Sequence, residues 1–321
     1  MTSAPTSNAA RPPLHTSSGP AALGTFEFTT PALPAVRALE LLDTYYQHGG
    51  RLLDTAPTYG PHPDGTFRAE QLIATWLRTT GVNDVHVITK TGLNPDRPHL
   101  GDLRPDTILD QARRSADILG TGFTLVLHRD DPNVPLGEIA DATDQTVRSG
   151  YASALGASNW TTARLTQWAA HARTANLTVP HVTAPLWSLI PRARPVSEPW
   201  LVEADPPHLN HAAEQGMTIT PYRTLAAGYL AAHHTGRHAE HHTTTYDTPT
   251  GQARRARLHQ AAAMLRMTPH ALALAYLRAA APRVVPVIGP RTTTQLRQCM
   301  AGAATAGSVT PDLVAYLEAR R

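Results

Sequence analysis

The 321-residue chain has a single cysteine, Cys299, which excludes an internal disulfide framework and any multi-cysteine metal site. No apolar run approaches the ~20 residues of a membrane span, and the first residues lack a signal-peptide core. A soluble, cytoplasmic protein without a membrane partner is therefore expected. Charge of one sign is scarce too: 28 Lys plus Arg against 25 Asp plus Glu leave a net +3, too little to call for nucleic acid. Missing motifs narrow the field further. There is no G-x-G-x-x-G and no G-x-x-x-x-G-K-[ST], the phosphate-cradling signatures of nucleotide-binding sheets. G-x-S-x-G is absent, so a serine hydrolase has no anchor. No H-x-H occurs to begin a metal-dependent barrel hydrolase.

Lysine is the most informative scarcity. Of the 28 basic residues only Lys90 is a lysine; the other 27 are arginines. Arginine cannot replace lysine where a compact ammonium or a shiftable pKa is needed. The bias that placed arginine everywhere else spared this position, and Lys90 asks for a functional reason.

Residues 1–18 are small, polar and proline-bearing and read as a disordered tail ahead of one domain at 19–321. Eight short apolar or β-branched runs follow, at 21–26, 51–56, 84–90, 123–128, 152–159, 181–187, 217–222 and 283–289. Between them lie amphipathic stretches with helical spacing, such as 35–46, 68–77, 106–119 and 162–172. Pro105-Asp106, Thr161-Thr162 and Pro269 mark helix starts. Eight alternating units predict an α/β protein of the (β/α)8 TIM-barrel class. Two long connections, 192–209 and 231–251, break the rhythm; in a barrel, connections after strands lie over the site. The second holds His233, His234, His238, His241 and His242. With no carboxylate set to complete a site, the expectation is no metal.

Barrel chemistry sits at the C-terminal ends of strands. Those ends carry Asp54, Lys90, His128, Ser158-Asn159 and Tyr222, with Tyr59 shortly after Asp54. Singly, each has a structural reading as a helix cap, a core histidine or a packing tyrosine. Together, with the lone lysine among them, they form an acid, an amine, an imidazole and a phenol on one rim.

The segments LDTAPTYG (53–60), VITK (87–90), LVLHRDD (125–131), LGASNW (155–160), PYRTLAAGYL (221–230) and PVIGPRTTTQL (286–296) resemble the aldo-keto reductases, in the same order along the chain. The resemblance implies that Asp54, Tyr59, Lys90 and His128 are the catalytic tetrad of an NADPH-dependent carbonyl reductase. A tyrosine with a reference pKa of ~10 is a poor acid-base unless its phenolate is stabilised. Lys90 would supply that charge, Asp54 would hold the ammonium, and His128 would donate to the substrate oxygen.

The resemblance further implies NADP(H) across the barrel mouth. Ser158 and Asn159 would hold the carboxamide, and Tyr222 would stack on the nicotinamide. Gly24, Thr25, Leu225 and Gly289 would line its path, Gln295 would contact the adenine, and Arg291 the 2′-phosphate, with Arg297 a second choice. As alternatives, Arg291 reads as a solvated loop cation and Tyr222 as core. Ala184 stands where the family usually has Gln, and Gln298-Cys299 where it has Glu-Asn. Phe26, Glu27, Pro57, Arg129, Trp160 and Trp187 are expected to rim the pocket of a polar small-molecule carbonyl substrate. The same apparatus would serve imine reduction, or a non-catalytic subunit that senses NADP(H). Oligomeric state is not readable from the sequence.

Overall fold

The computed structural model describes residues 14–61, 64, 66–93, 100–193, 200–231 and 245–319. Eight parallel strands coincide with the eight expected runs, β3 extending one residue past its run: β1 (Ala22–Gly24), β2 (Leu52–Asp54), β3 (His86–Thr91), β4 (Phe123–Leu127), β5 (Ala152–Ser158), β6 (Val182–Ala184), β7 (Thr218–Ile219) and β8 (Val287–Ile288). Their order is β7-β6-β5-β4-β3-β2-β1-β8. The ends meet where Ile219 bridges Val284: Ile219 N–H donates to Arg283 O at 3.0 Å and Val285 N–H to Ile219 O at 2.9 Å. The result is a closed (β/α)8 barrel.

The helices start where local chemistry places them. Pro105 sits in the first turn of Pro105–Leu119, where a missing N–H leaves no bond unmade. Thr161 caps Thr162–Thr174 by accepting from Arg164 N–H at 3.2 Å, and Thr268 caps Pro269–Ala280 in the same way. No helix among the described residues is long and apolar enough to cross a membrane.

The strands are buried on both faces, as parallel barrel strands are. Toward the helices, Leu23, Leu53, Leu125, Leu155 and Ile219 join the larger apolar cluster. Toward the axis, Ala22, Leu52, Ile88, Val126, Val182 and Val285 form a smaller one. Strand side chains alternate with period two, so the next layer toward the C-terminal rim includes Gly24, Asp54, Lys90, His128, Ser158, Ala184 and Val287. An aliphatic floor thus carries the polar side chains of Asp54, Lys90, His128 and Ser158 directly above it.

Ahead of β1 the chain is already in contact with the barrel. Leu14–Ser17 forms one helical turn, Leu14 packs on the axial cluster, and Ser18 O accepts Arg51 N–H at 3.0 Å. Half-buried Leu14 thus ties this turn to the barrel floor; residues 1–13 lie outside the described residues, as do 194–199 and 232–244 of the two long connections. The histidine-rich run expected not to bind metal falls in the second of these.

Candidate active site

Register brings the lone lysine to its acid. Asp54 pairs with Ile88 across β2 and β3, so Lys90, two residues along the same face, reaches over it. Lys90 Nζ lies 2.7 Å from Asp54 Oδ1, and both side chains are buried. The ammonium also donates to Thr55 O at 2.9 Å. Burial alone would pull the Lys90 pKa down, but Asp54 and then Tyr59 more than offset it, and the net direction is up.

Tyr59 lies over this pair. Lys90 Nζ is 4.6 Å from its ring centroid, the His128 ring is edge-on at 5.8 Å, and Phe26, 60% exposed, meets it edge-on at 5.2 Å. The structure therefore brings together all four residues expected to form the tetrad. Burial raises the Tyr59 hydroxyl, and although Lys90 pulls it down, the net direction is upward. The phenol is thus a protonated acid at neutral pH. Burial, then the charges of Lys90 and Arg129, hold His128 well below the ordinary imidazole value, so its ring is neutral at pH 7.

The residues expected to meet a nicotinamide form one hydrogen-bonded cluster. Asn159 adopts left-handed backbone (φ 59°), which Asn tolerates better than most side chains. Its Oδ1 accepts from Tyr222 Oη at 2.6 Å, and its Nδ2 donates to Ser158 Oγ at 3.1 Å. Ser158 Oγ donates to Ala184 O at 2.8 Å. Past β8 the backbone opens, where a Cβ on Gly289 would meet nothing within 4 Å, whereas one on Gly24 in β1 would press on Val287. Gly24 thus serves strand packing, and Thr25 bonds Asp54 O through its hydroxyl at 3.1 Å. Leu225 is half-buried in the turn after Tyr222. Gln295 Oε1 accepts Arg291 N–H at 2.9 Å. Arg297 is exposed.

The other residues expected to rim the pocket are buried to different degrees. Trp160 is buried in the core against Trp168, with ring centroids 5.2 Å apart, and Trp187 is buried 6.4 Å from Tyr276. Both indoles are thus packed into the apolar core just past the C-terminal ends of β5 and β6. Glu27 is paired with Arg291. Arg129 is buried with its guanidinium 3.5 Å from the Trp200 ring centroid, and Pro57 is half-buried. Cys299 faces the core, where burial pushes its thiol up to about 12.

One buried carboxyl was not singled out from the sequence. Glu70 accepts from Thr89 Oγ1 at 2.5 Å and Ser115 Oγ at 2.9 Å. Helical spacing with Ile73 and Ala74 places it on the buried face, and that periodicity was the available signal. Burial raises its pKa, so the folded state binds this proton more tightly than the unfolded chain. Stability from this group is present at acid pH and falls as pH rises above the ordinary Glu range. Glu70→Gln, which keeps an acceptor without the charge, is expected to remove that fall in thermal melts from pH 5 to 8. Glu70→Ala, which strands two hydroxyls, should cost about 1–3 kcal/mol per stranded group throughout.

A closed barrel thus carries an Asp–Lys pair beneath a tyrosine and a neutral histidine at its C-terminal rim. A model of the aldo/keto reductase family matches residues 21–319, and the chain belongs to that family. It is 28% identical over 197 residues to aldo-keto reductase str7 of Strobilurus tenacellus, a match covering 60% of this chain and 51% of that protein. It is 26% identical over 205 residues to a probable voltage-gated potassium channel subunit beta of Arabidopsis thaliana, covering 62% of this chain and 57% of that protein. The chain spans little more than half the length of these curated relatives.

Proposed function

We propose that this chain is an NADPH-dependent oxidoreductase that reduces the carbonyl of a polar small molecule, with Tyr59 as proton donor. The observation that carries the reading is the buried Lys90–Asp54 pair at 2.7 Å under the Tyr59 ring. The residues fit a nicotinamide cofactor: Tyr222 offers a ring at the mouth, Ser158 and Asn159 offer amide-matching groups, Gly289 leaves open space, and Arg291 offers a phosphate-matching fork. When bound, that cofactor supplies hydride to the carbonyl carbon.

The chain supplies the rest. His128, neutral, donates a hydrogen bond to the carbonyl oxygen and fixes its position. Tyr59 gives its proton to the same oxygen as negative charge develops there. Lys90 stabilises the phenolate left behind, and Asp54 keeps Lys90 charged and aimed. In the resting state burial keeps the proton on Tyr59; the ammonium acts once the proton leaves.

The test follows NADPH absorbance with aldehydes, ketones, hydroxylated carbonyls and cyclic imines. Turnover of a carbonyl is expected, with a kcat flat through pH 6.5, since His128 does not titrate there, and falling only above pH ~10 as Tyr59 loses its proton. A limb at pH 6.5 would contradict the assigned state of His128. Turnover confined to imines would change the substrate class. The likeness to a channel subunit supports a second reading, an NADP(H)-sensing subunit; cofactor retention without turnover of any compound would favour it.

A further inference from the structure

Glu27 lies in the turn after β1, and Arg291 in the turn after β8. These strands are neighbours, with Leu23 opposite Ile288. Arg291 Nε lies 2.6 Å from Glu27 Oε2 and its Nη2 lies 2.5 Å from Oε1. Two parallel charge-assisted bonds of this kind fit the flat fork of a guanidinium, and the fork accepts a phosphate by the same geometry. The side chains are 33% and 42% exposed, so the pair is wet and exchangeable rather than sealed. Meanwhile the Arg291 backbone N–H is held by Gln295 Oε1.

We propose that Glu27 is a built-in competitor for the anion that Arg291 takes, and that this residue sets the cofactor's 2′-phosphate selectivity. The inference rests on the cofactor reading above. A 2′-phosphate carries about −1.5 to −2 charge and three acceptor oxygens, against the single charge of the carboxylate. It displaces Glu27 from the guanidinium. A ligand with only a 2′-hydroxyl gains nothing from that exchange. The 2′-phosphate therefore binds Arg291 at the cost of a native ion pair, and selectivity for it is lower than an uncommitted arginine would give.

The experiment is a binding titration without substrate, by protein fluorescence and calorimetry, using NADPH, NADH, 2′,5′-ADP and 5′-AMP. Glu27→Gln is expected to tighten NADPH and 2′,5′-ADP by about threefold or more and to change NADH and 5′-AMP by less than about twofold. In an Arg291→Leu background the same change should have no effect on any of the four. Equal tightening of phosphorylated and unphosphorylated ligands, or an effect that survives Arg291→Leu, overturns the competition. So does NADPH binding that Glu27→Gln leaves unaltered, and in each of these cases the cofactor reading stands. Binding of neither dinucleotide to the wild-type chain overturns that reading itself.

Discussion

Tyr59→Phe is expected to lower kcat by about 10²- to 10⁴-fold while NADPH binds as before. The substitution removes one hydroxyl and keeps the ring. The edge contacts with Phe26 at 5.2 Å and His128 at 5.8 Å need only that ring, and so does the Lys90 approach at 4.6 Å. A packing defect is therefore a small contributor to the loss. The hydroxyl is the group that burial holds protonated at neutral pH, so its absence leaves the carbonyl oxygen with the His128 donor alone. The effect should fall on kcat with KM little changed, because an interaction made mainly in the transition state is the one removed. Single-turnover rates and a fluorescence binding titration on both proteins check it. A variant that keeps a tenth or more of wild-type turnover would move the proton donor elsewhere.

Much of this arrangement was legible in the sequence, and the reason is the period-two geometry of strands. The runs ending in Asp54, Lys90 and His128 place three polar residues directly after aliphatic ones on the axial face, so counting along LLD, ITK and VLH predicts the polar layer. The lone lysine named its own importance through composition. What sequence could not supply is where a side chain past the strand end turns. Trp160 and Trp187, one residue past Asn159 and shortly past β6, look like rim aromatics in one dimension, yet they pack on Trp168 and Tyr276. The Glu27–Arg291 pair joins residues 264 positions apart, a contact that no local pattern encodes. The Leu14 turn escaped because a single leucine among small polar residues carries no periodicity, although the barrel floor gives it a place.

Lys90→Met is expected to abolish turnover and also to cost about 3–5 kcal/mol of stability, because it leaves the Asp54 carboxylate buried and uncompensated. The two losses have different causes and can be separated. In Asp54→Leu/Lys90→Met both charges go together, so no charge is stranded and the stability measured by urea unfolding should return most of the way to wild type, short of the bond that Thr55 O loses, with a coupling energy of several kcal/mol in the double-mutant cycle. Turnover should stay at the Lys90→Met level, since no cation remains to hold the phenolate of Tyr59. The stability difference also carries a pH signature. The folded pKa of Lys90 is raised, so the contribution of its charge is fully present below the ordinary lysine value of ~10.4 and fades only as pH climbs through the folded value. The gap between wild type and Lys90→Met should thus be constant from pH 6 to 9. Lys90→Arg keeps the charge and tests the shape: the planar guanidinium must fit a buried site built for a compact ammonium bonded to Asp54 Oδ1 and Thr55 O. Stability below that of the double variant, with turnover still absent, is the expected result, and it would explain in physical terms why arginine occupies every other basic position but not this one. Recovery of turnover by Lys90→Arg would instead make charge alone sufficient, and the scarcity of lysine an accident of composition.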